Sequence, residues 1–191
     1  MEVLEAIIHR RSVRTYQSLI INSNDLTSLL DCARMAPSGS NTQPWRFIVV
    51  RNEELRARIA EICEQEWMLQ APVFIVCVAD IRTRIKDGSP IFLDEKNPEL
   101  DLKRVIRDTT IAIEHIVLQA ESIGLATCWV GHFEQRTIRP ALGIPDDKYV
   151  VAVITIGYAA DTPEAKPRYA LSDIVFWEKW EGINDPAFML I

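Results

Sequence analysis

Three arginines and a serine fall within five residues in Arg10-Arg11-Ser12-Val13-Arg14. A guanidinium presents a rigid fork of donors that matches phosphate oxygens, and the serine hydroxyl adds a neutral one. Standing alone, the segment reads equally as a solvated basic helix end. A second basic pair, Lys166 and Arg168, lies near the other end of the chain among Pro163, Pro167 and Tyr169. If folding sets the two side by side, their positive side chains surround one small anion, and a phosphomonoester of charge about −2 suits such a site.

Two further segments offer recognition rather than charge. Pro37-Ser38-Gly39-Ser40-Asn41-Thr42-Gln43-Pro44-Trp45 is dense in turn formers, and Asn41 and Gln43 each both donate and accept. Reading the edge of a planar heterocycle requires that combination, although a polar helix-to-strand loop has the same composition. The run from Gly124 to Phe133 ends a helix, makes a strand and stops at Gly131, where a missing side chain lets main-chain N–H groups approach a flat ligand. Taken singly, Trp129 and His132 read as packing residues.

Other chemistries are poorly supplied. The seven glycines never take the spacing of G-x-G-x-x-G or G-x-x-x-x-G-K-[ST], so neither glycine-rich phosphate cradle is present. Gly-x-Ser-x-Gly does not occur. Cys32, Cys63, Cys77 and Cys128 contain no C-x-x-C, and His9, His115 and His132 are widely separated, so no metal site is read. The cysteines read as small hydrophobes of a reducing cytoplasm. With 21 Lys+Arg against 27 Asp+Glu the chain carries −6. Its pI of about 5.2 argues against nucleic acid as a partner. No apolar run approaches the roughly 18 residues of a membrane span, and the acidic start does not resemble a signal peptide.

The elements that must position these residues follow from periodicity. Residues 2–9 read as a helix with Val3, Leu4, Ile7 and Ile8 on one stripe, and Asn24 as the cap of a second helix carrying Leu26, Leu29, Leu30 and Ala33. Phe47–Val50 reads as a strand and residues 53–65 as a charged helix. Val73–Ala79 is continuous and β-branched, as a strand buried on both faces should be. A long helix over 101–123 places Val105, Ile106, Thr109, Ala112, Ile113, Ile116, Val117 and Ala120 inward, and Gly124 ends it. Strands over 126–130 and 149–156 flank a short helix at 134–141. At 191 residues the chain reads as a single domain of α+β class. The interleaving alone suggests a parallel sheet. The stretch from residue 81 to 100 lacks periodicity and is a candidate lid or an insertion without a role.

Taken together and in order, four segments resemble the FMN-dependent nitroreductase family. They are R-R-S-V-R-T-Y at 10–16, A-P-S-G-S-N-T-Q-P-W-R-F at 36–47, G-L-A-T-C-W-V-G at 124–131 and I-G-Y-A-A-D-T-P-E-A-K-P-R at 156–168. The resemblance implies an α+β fold with a mixed central sheet flanked by helices, extended by the partner's C-terminal segment. It also implies an intertwined homodimer with FMN at the interface. By similarity, Arg10, Arg11, Ser12 and Arg14, joined by Lys166 and Arg168, hold the FMN phosphate and ribityl chain. Pro37, Ser38, Asn41 and Gln43 approach the flavin from the partner. The main chain around Trp129, Gly131 and His132 faces the isoalloxazine, an amide near Gly131 lying close to flavin N5. NADH or NADPH is then the transient reductant, an electrophilic small molecule such as a nitroaromatic or quinone the acceptor, and no protein acid or base is required. Flavin fragmentation, reductive dehalogenation and flavin binding without turnover remain open alternatives on the same site.

Overall fold

A computed structural model describes residues 1–91, 93 and 99–180. The first helix, α1, spans Val3–His9, and α2 spans Ser23–Arg34. Asn22, two residues before the expected cap, closes α2 by accepting the Asp25 N–H at 2.8 Å. Strand β1 (Trp45–Val50) leads into α3 (Glu53–Ile62), which stops three residues earlier than its charge pattern suggests. Strand β2 (Val73–Asp80), α4 (Leu100–Ser122), β3 (Ala126–Val130), α5 (Gln135–Ala141) and β4 (Lys148–Gly157) complete the core, and α6 is a single turn at Leu171–Ile174.

The strands form one sheet in the order β1-β2-β4-β3, and every pair is antiparallel. This corrects the parallel expectation. Among the described residues, parallel pairing enters only as a bridge between Ser12 and Thr127. A slip between Cys77 and Val78 leaves Val151 as an extra residue on β4.

The continuous apolar run of β2 has a direct cause. Val73, Ile75 and Cys77 enter one core with Leu26 and Leu29 of α2 and Ala112, Ile113 and Ile116 of α4. The intervening Phe74, Val76 and Val78 enter a second core with Ile59 and Ala60 of α3 and Ile138 of α5. Helices cover both faces, so neither face needs polar residues.

The inward stripe of α4 is as expected, with Leu102 added and Ile106 only half-buried. Gly124 terminates the helix in the left-handed region at φ +81°. The stripe of α1 behaves differently. Val3, Leu4, Ile7 and Ile8 are all exposed, and only Ala6 of that helix is buried. From residue 81 onward, Ile85, Ile91 and Leu93 pack against Leu102 and Val105. Residues 92, 94–98 and 181–191, which include part of the candidate lid and the expected C-terminal extension, lie outside the described residues.

Candidate functional site

The chain from residue 10 to 17 has no strand partner in sequence, yet its backbone is satisfied by two distant elements. Val13 N–H donates to the Thr127 carbonyl of β3 at 3.0 Å. Gln17 N–H donates to Tyr158 O at 2.9 Å, and Ala160 N–H to Thr15 O at 3.0 Å. Tyr16 locks this seam from below. Its hydroxyl donates to Val13 O at 2.8 Å and lies 2.8 Å from Thr155 Oγ1, and burial holds its pKa above the usual tyrosine range.

The seam brings the two basic segments together. Arg10, Arg11, Ser12 and Arg14 line one cleft of about 510 Å³ with Lys166 and Arg168, beside Ile7 and Ile8 of α1. Two carboxylates, Asp161 and Glu164, share it, and the Thr15 hydroxyl donates to Asp161. Among the described residues none of the five cationic groups forms an ion pair, whereas arginines elsewhere pair with Asp31, Asp80, Asp108 and Asp147. Unpaired cations facing one cleft repel one another and favour a doubly charged anion between them.

Their individual settings differ. Arg11 Nη1 donates to the carbonyls of Ile8, His9 and Arg10 at 2.7, 2.9 and 2.9 Å, so this guanidinium caps the C-terminal end of α1. Arg14 lies 5.5 Å over the ring of Trp67, a cation–π contact that orients it. No local pattern distinguishes Trp67 in the sequence. Thr15 and Asp161, by contrast, sit inside the first and fourth motifs and are legible as neighbours of the basic residues. Behind the cleft, burial raises the Cys128 thiol, opposed by Arg14 and Arg10.

The other predicted residues do not line this cleft. Pro37, Ser38, Asn41 and Gln43 form a separate loop in which Ser40, Asn41 and Gln43 all take left-handed backbone, at φ 55°, 53° and 46°. Ser38 holds it together. Its carbonyl accepts the Asn41 N–H at 2.9 Å and its hydroxyl oxygen the Gln43 N–H at 3.0 Å. At the end of β3, Trp129 is 38% exposed, and the space beside Gly131 is open, a Cβ there meeting only Trp129 Nε1 at 4.0 Å. His132 Nε2 lies 3.7 Å from Glu64 Oε2, with both side chains in solvent. The chain thus presents an electropositive cleft, a strained polar loop and an open strand end as three separate surfaces.

Comparison with known proteins gives these surfaces a context. The nitroreductase family model matches residues 7–158. A protein of Methanothermobacter thermautotrophicus, provisionally named an NADH dehydrogenase/NAD(P)H nitroreductase, is 35% identical over 185 residues, 94% of this chain and 88% of the relative. A nitroreductase family protein of Clostridium novyi NT superposes with a TM-score of 0.71 at 31% identity, covering 95% of this chain and 96% of the other. A nitroreductase-type protein of Exiguobacterium sibiricum, solved with FMN, gives 0.79 at 25% identity, covering 93% and 98%. A family model across most of the chain, and a relative this similar over nearly all of it, show that the protein belongs to the nitroreductase family.

Proposed function

We propose that this protein is an FMN-dependent oxidoreductase that takes hydride from NADH or NADPH and delivers it to an electrophilic small molecule such as a nitroaromatic or quinone. Reductant and acceptor occupy the same place in turn, a ping-pong order. One observation carries the reading: the cleft in which Arg10, Arg14, Lys166 and Arg168 converge without carboxylate partners among the described residues. The donor set fits FMN, since four free cations suit a terminal phosphate of about −2 charge. Arg11 fixes the helix end beside it, the Ser12 hydroxyl adds a neutral donor, and Asp161 and Glu164 offer acceptors to hydroxyl groups of a ribityl chain.

When bound, FMN supplies two-electron hydride chemistry at its N5. The chain's own residues bind, orient and tune. Main-chain donors at Trp129, Gly131 and His132 would face the isoalloxazine and hydrogen-bond its edge, and no side-chain acid or base is assigned.

The loop of Pro37, Ser38, Asn41 and Gln43 completes the site from a second copy in a homodimer, each protomer using residues 1–191 as one domain. The exposed apolar stripe of α1 supports such pairing, because a row of Val3, Leu4, Ile7 and Ile8 in water is costly unless covered. Extension of the sheet by the partner's C-terminal segment belongs to the same reading. At the base of the segment that begins at residue 81, Arg82 bonds Asp147 at 2.8 Å and the Ser89 carbonyl at 2.9 Å. Four free cysteines favour a cytoplasmic setting. No helix among the described residues is long and apolar enough to cross a membrane.

The test is the visible spectrum of the purified protein, followed by stopped-flow mixing with NADH and NADPH. Yellow protein whose flavin band is bleached by one reductant and restored by an acceptor is expected. Arg10→Ala and Arg168→Ala each remove a charge-assisted bond of about 1.5–3 kcal/mol, so FMN Kd rises roughly 10- to 150-fold while the dimer stays folded. Full flavin occupancy in both variants overturns the assignment of the cleft.

A further inference from the structure

The 37–43 loop holds three non-glycine residues in left-handed backbone, an arrangement that relaxes unless its surroundings dictate it. What dictates it is a pair of charged residues from two other elements. Asp108, on α4, accepts the Gly39 N–H through Oδ2 at 3.2 Å. Arg84, just after the single 3-10 turn Ile81–Thr83 that follows β2, donates from Nη2 to the Gly39 carbonyl at 3.2 Å. The two side chains also pair with each other at 3.3 Å and are only 14% and 13% exposed. Both polar groups of one residue are therefore gripped by a nearly buried ion pair, so rotation about Gly39 breaks two hydrogen bonds at once.

Packing closes the remaining freedom. A Cβ built on Gly39 would lie 2.6 Å from Arg84 Nη2, so the guanidinium fills the space a side chain would take. Its Nε is buried without a hydrogen-bond partner among the described residues, which leaves Nη2 as the atom that fixes the group. The Thr42 N–H, between Asn41 and Gln43, donates to the Gly39 carbonyl at 3.3 Å, so the position of Gly39 passes to both neighbours.

We infer that Arg84 and Asp108 are positioning residues that hold the Asn41/Gln43 loop in the shape that receives FMN, and that they tie this loop to the base of the segment beginning at residue 81. The inference rests on the FMN reading given above. It assigns no contact with the flavin to either residue; they act through Gly39.

Two measurements test it. In flavin-free protein, amide hydrogen exchange should be slow at Gly39, fast in Asp108→Ala, and largely restored in Asp108→Asn, which keeps an oxygen acceptor. In FMN titrations, Asp108→Ala should raise Kd about tenfold, or 1.4 kcal/mol, and Asp108→Asn less than about threefold. Because the action runs through the loop, the losses from Asp108→Ala and Asn41→Ala should combine to less than their sum. Gly39→Ala is the second perturbation, since its methyl group displaces the guanidinium without removing either charge; it should reproduce the tenfold loss. If Asn41→Ala weakens FMN while Asp108→Ala and Gly39→Ala leave both exchange and Kd at wild-type values, the positioning role is wrong and the flavin site stands. If Arg10→Ala, Arg168→Ala and Asn41→Ala all keep wild-type affinity, the flavin reading fails and takes this inference with it.

Discussion

Replacement of Gly157 by alanine probes the seam on which the cleft depends. Gly157 is the last residue of β4, and its φ lies outside the left-handed region, so the substitution is a question of space. The new Cβ would sit 2.6 Å from Tyr16 Cδ1, 3.3 Å from its Cγ and 2.9 Å from Pro72 Cδ. Comfortable carbon contacts are about 3.5–4.0 Å, so the methyl group is short of room by roughly 0.6–1.4 Å. Pro72 cannot yield easily, and Tyr16 is almost fully buried. Overpacking of this kind costs about 1–3 kcal/mol. If the ring retreats, the hydroxyl leaves Val13 O and Thr155 Oγ1, each bond worth about 1 kcal/mol net. A total loss of about 3–5 kcal/mol follows, a fall in Tm of roughly 6–20 °C for a chain of this size. Urea unfolding followed by circular dichroism, at fixed protomer concentration, measures it. Tyr16→Leu in the same background removes the obstructing ring, so the double variant should lose less than the sum of the single ones. Gly157→Ala within about 0.5 kcal/mol of the parent, or strict additivity with Tyr16→Leu, refutes the packing account.

Three other outcomes follow from the same structure. Asp147 bonds Lys148 and Arg82, which hold its carboxyl below the usual range, so the stabilisation is present above the unfolded-state value near 3.8 and is lost as pH falls through the lower folded one. Asp147→Asn should therefore be less stable than wild type at pH 7, and the gap should narrow as pH falls below the unfolded-state value, as read from urea midpoints; a gap that does not change with pH contradicts this. Burial pushes the Cys63 thiol up to about 12 and raises those of Cys77 and Cys128, so these three should resist iodoacetamide at pH 8 until urea unfolds the chain. Leu4→Glu, on the exposed stripe of α1, should shift the protein from dimer to monomer by sedimentation without lowering its helix content, and an intact dimer would show that the stripe is not an interface.

Much of the fold was legible locally. The inward stripe of α4 follows from a spacing of 3.6 residues, and the burial of β2 from an unbroken apolar run, patterns that a single element carries by itself. Strand direction was not legible. Val73 to Ala79 is apolar on both faces because α2 and α4 cover one and α3 and α5 the other, and a run without alternation looks the same in a parallel or an antiparallel sheet. The stripe of α1 was legible as amphipathic, but periodicity states only that one face is apolar, and here that face meets solvent in the single chain.

The site divides in the same way. The sequence by itself determined which residues carry charge and hydrogen-bonding capacity, and in which order, because those are properties of the residues: Arg10 to Arg14, the Asn41/Gln43 loop, the Gly131 strand end, Lys166 and Arg168. Only the tertiary structure decided which of them meet. Arg14 reaches Lys166 and Arg168 because Val13 bonds Thr127 and Thr15 bonds Ala160, main-chain pairings that leave no trace in side-chain type. The Asn41/Gln43 loop stays apart because Arg84 and Asp108, ordinary charged residues in the sequence, grip it at Gly39. Non-local backbone hydrogen bonds and buried charge pairs join segments that local spacing cannot connect, and they made a cleft from two ends of one chain.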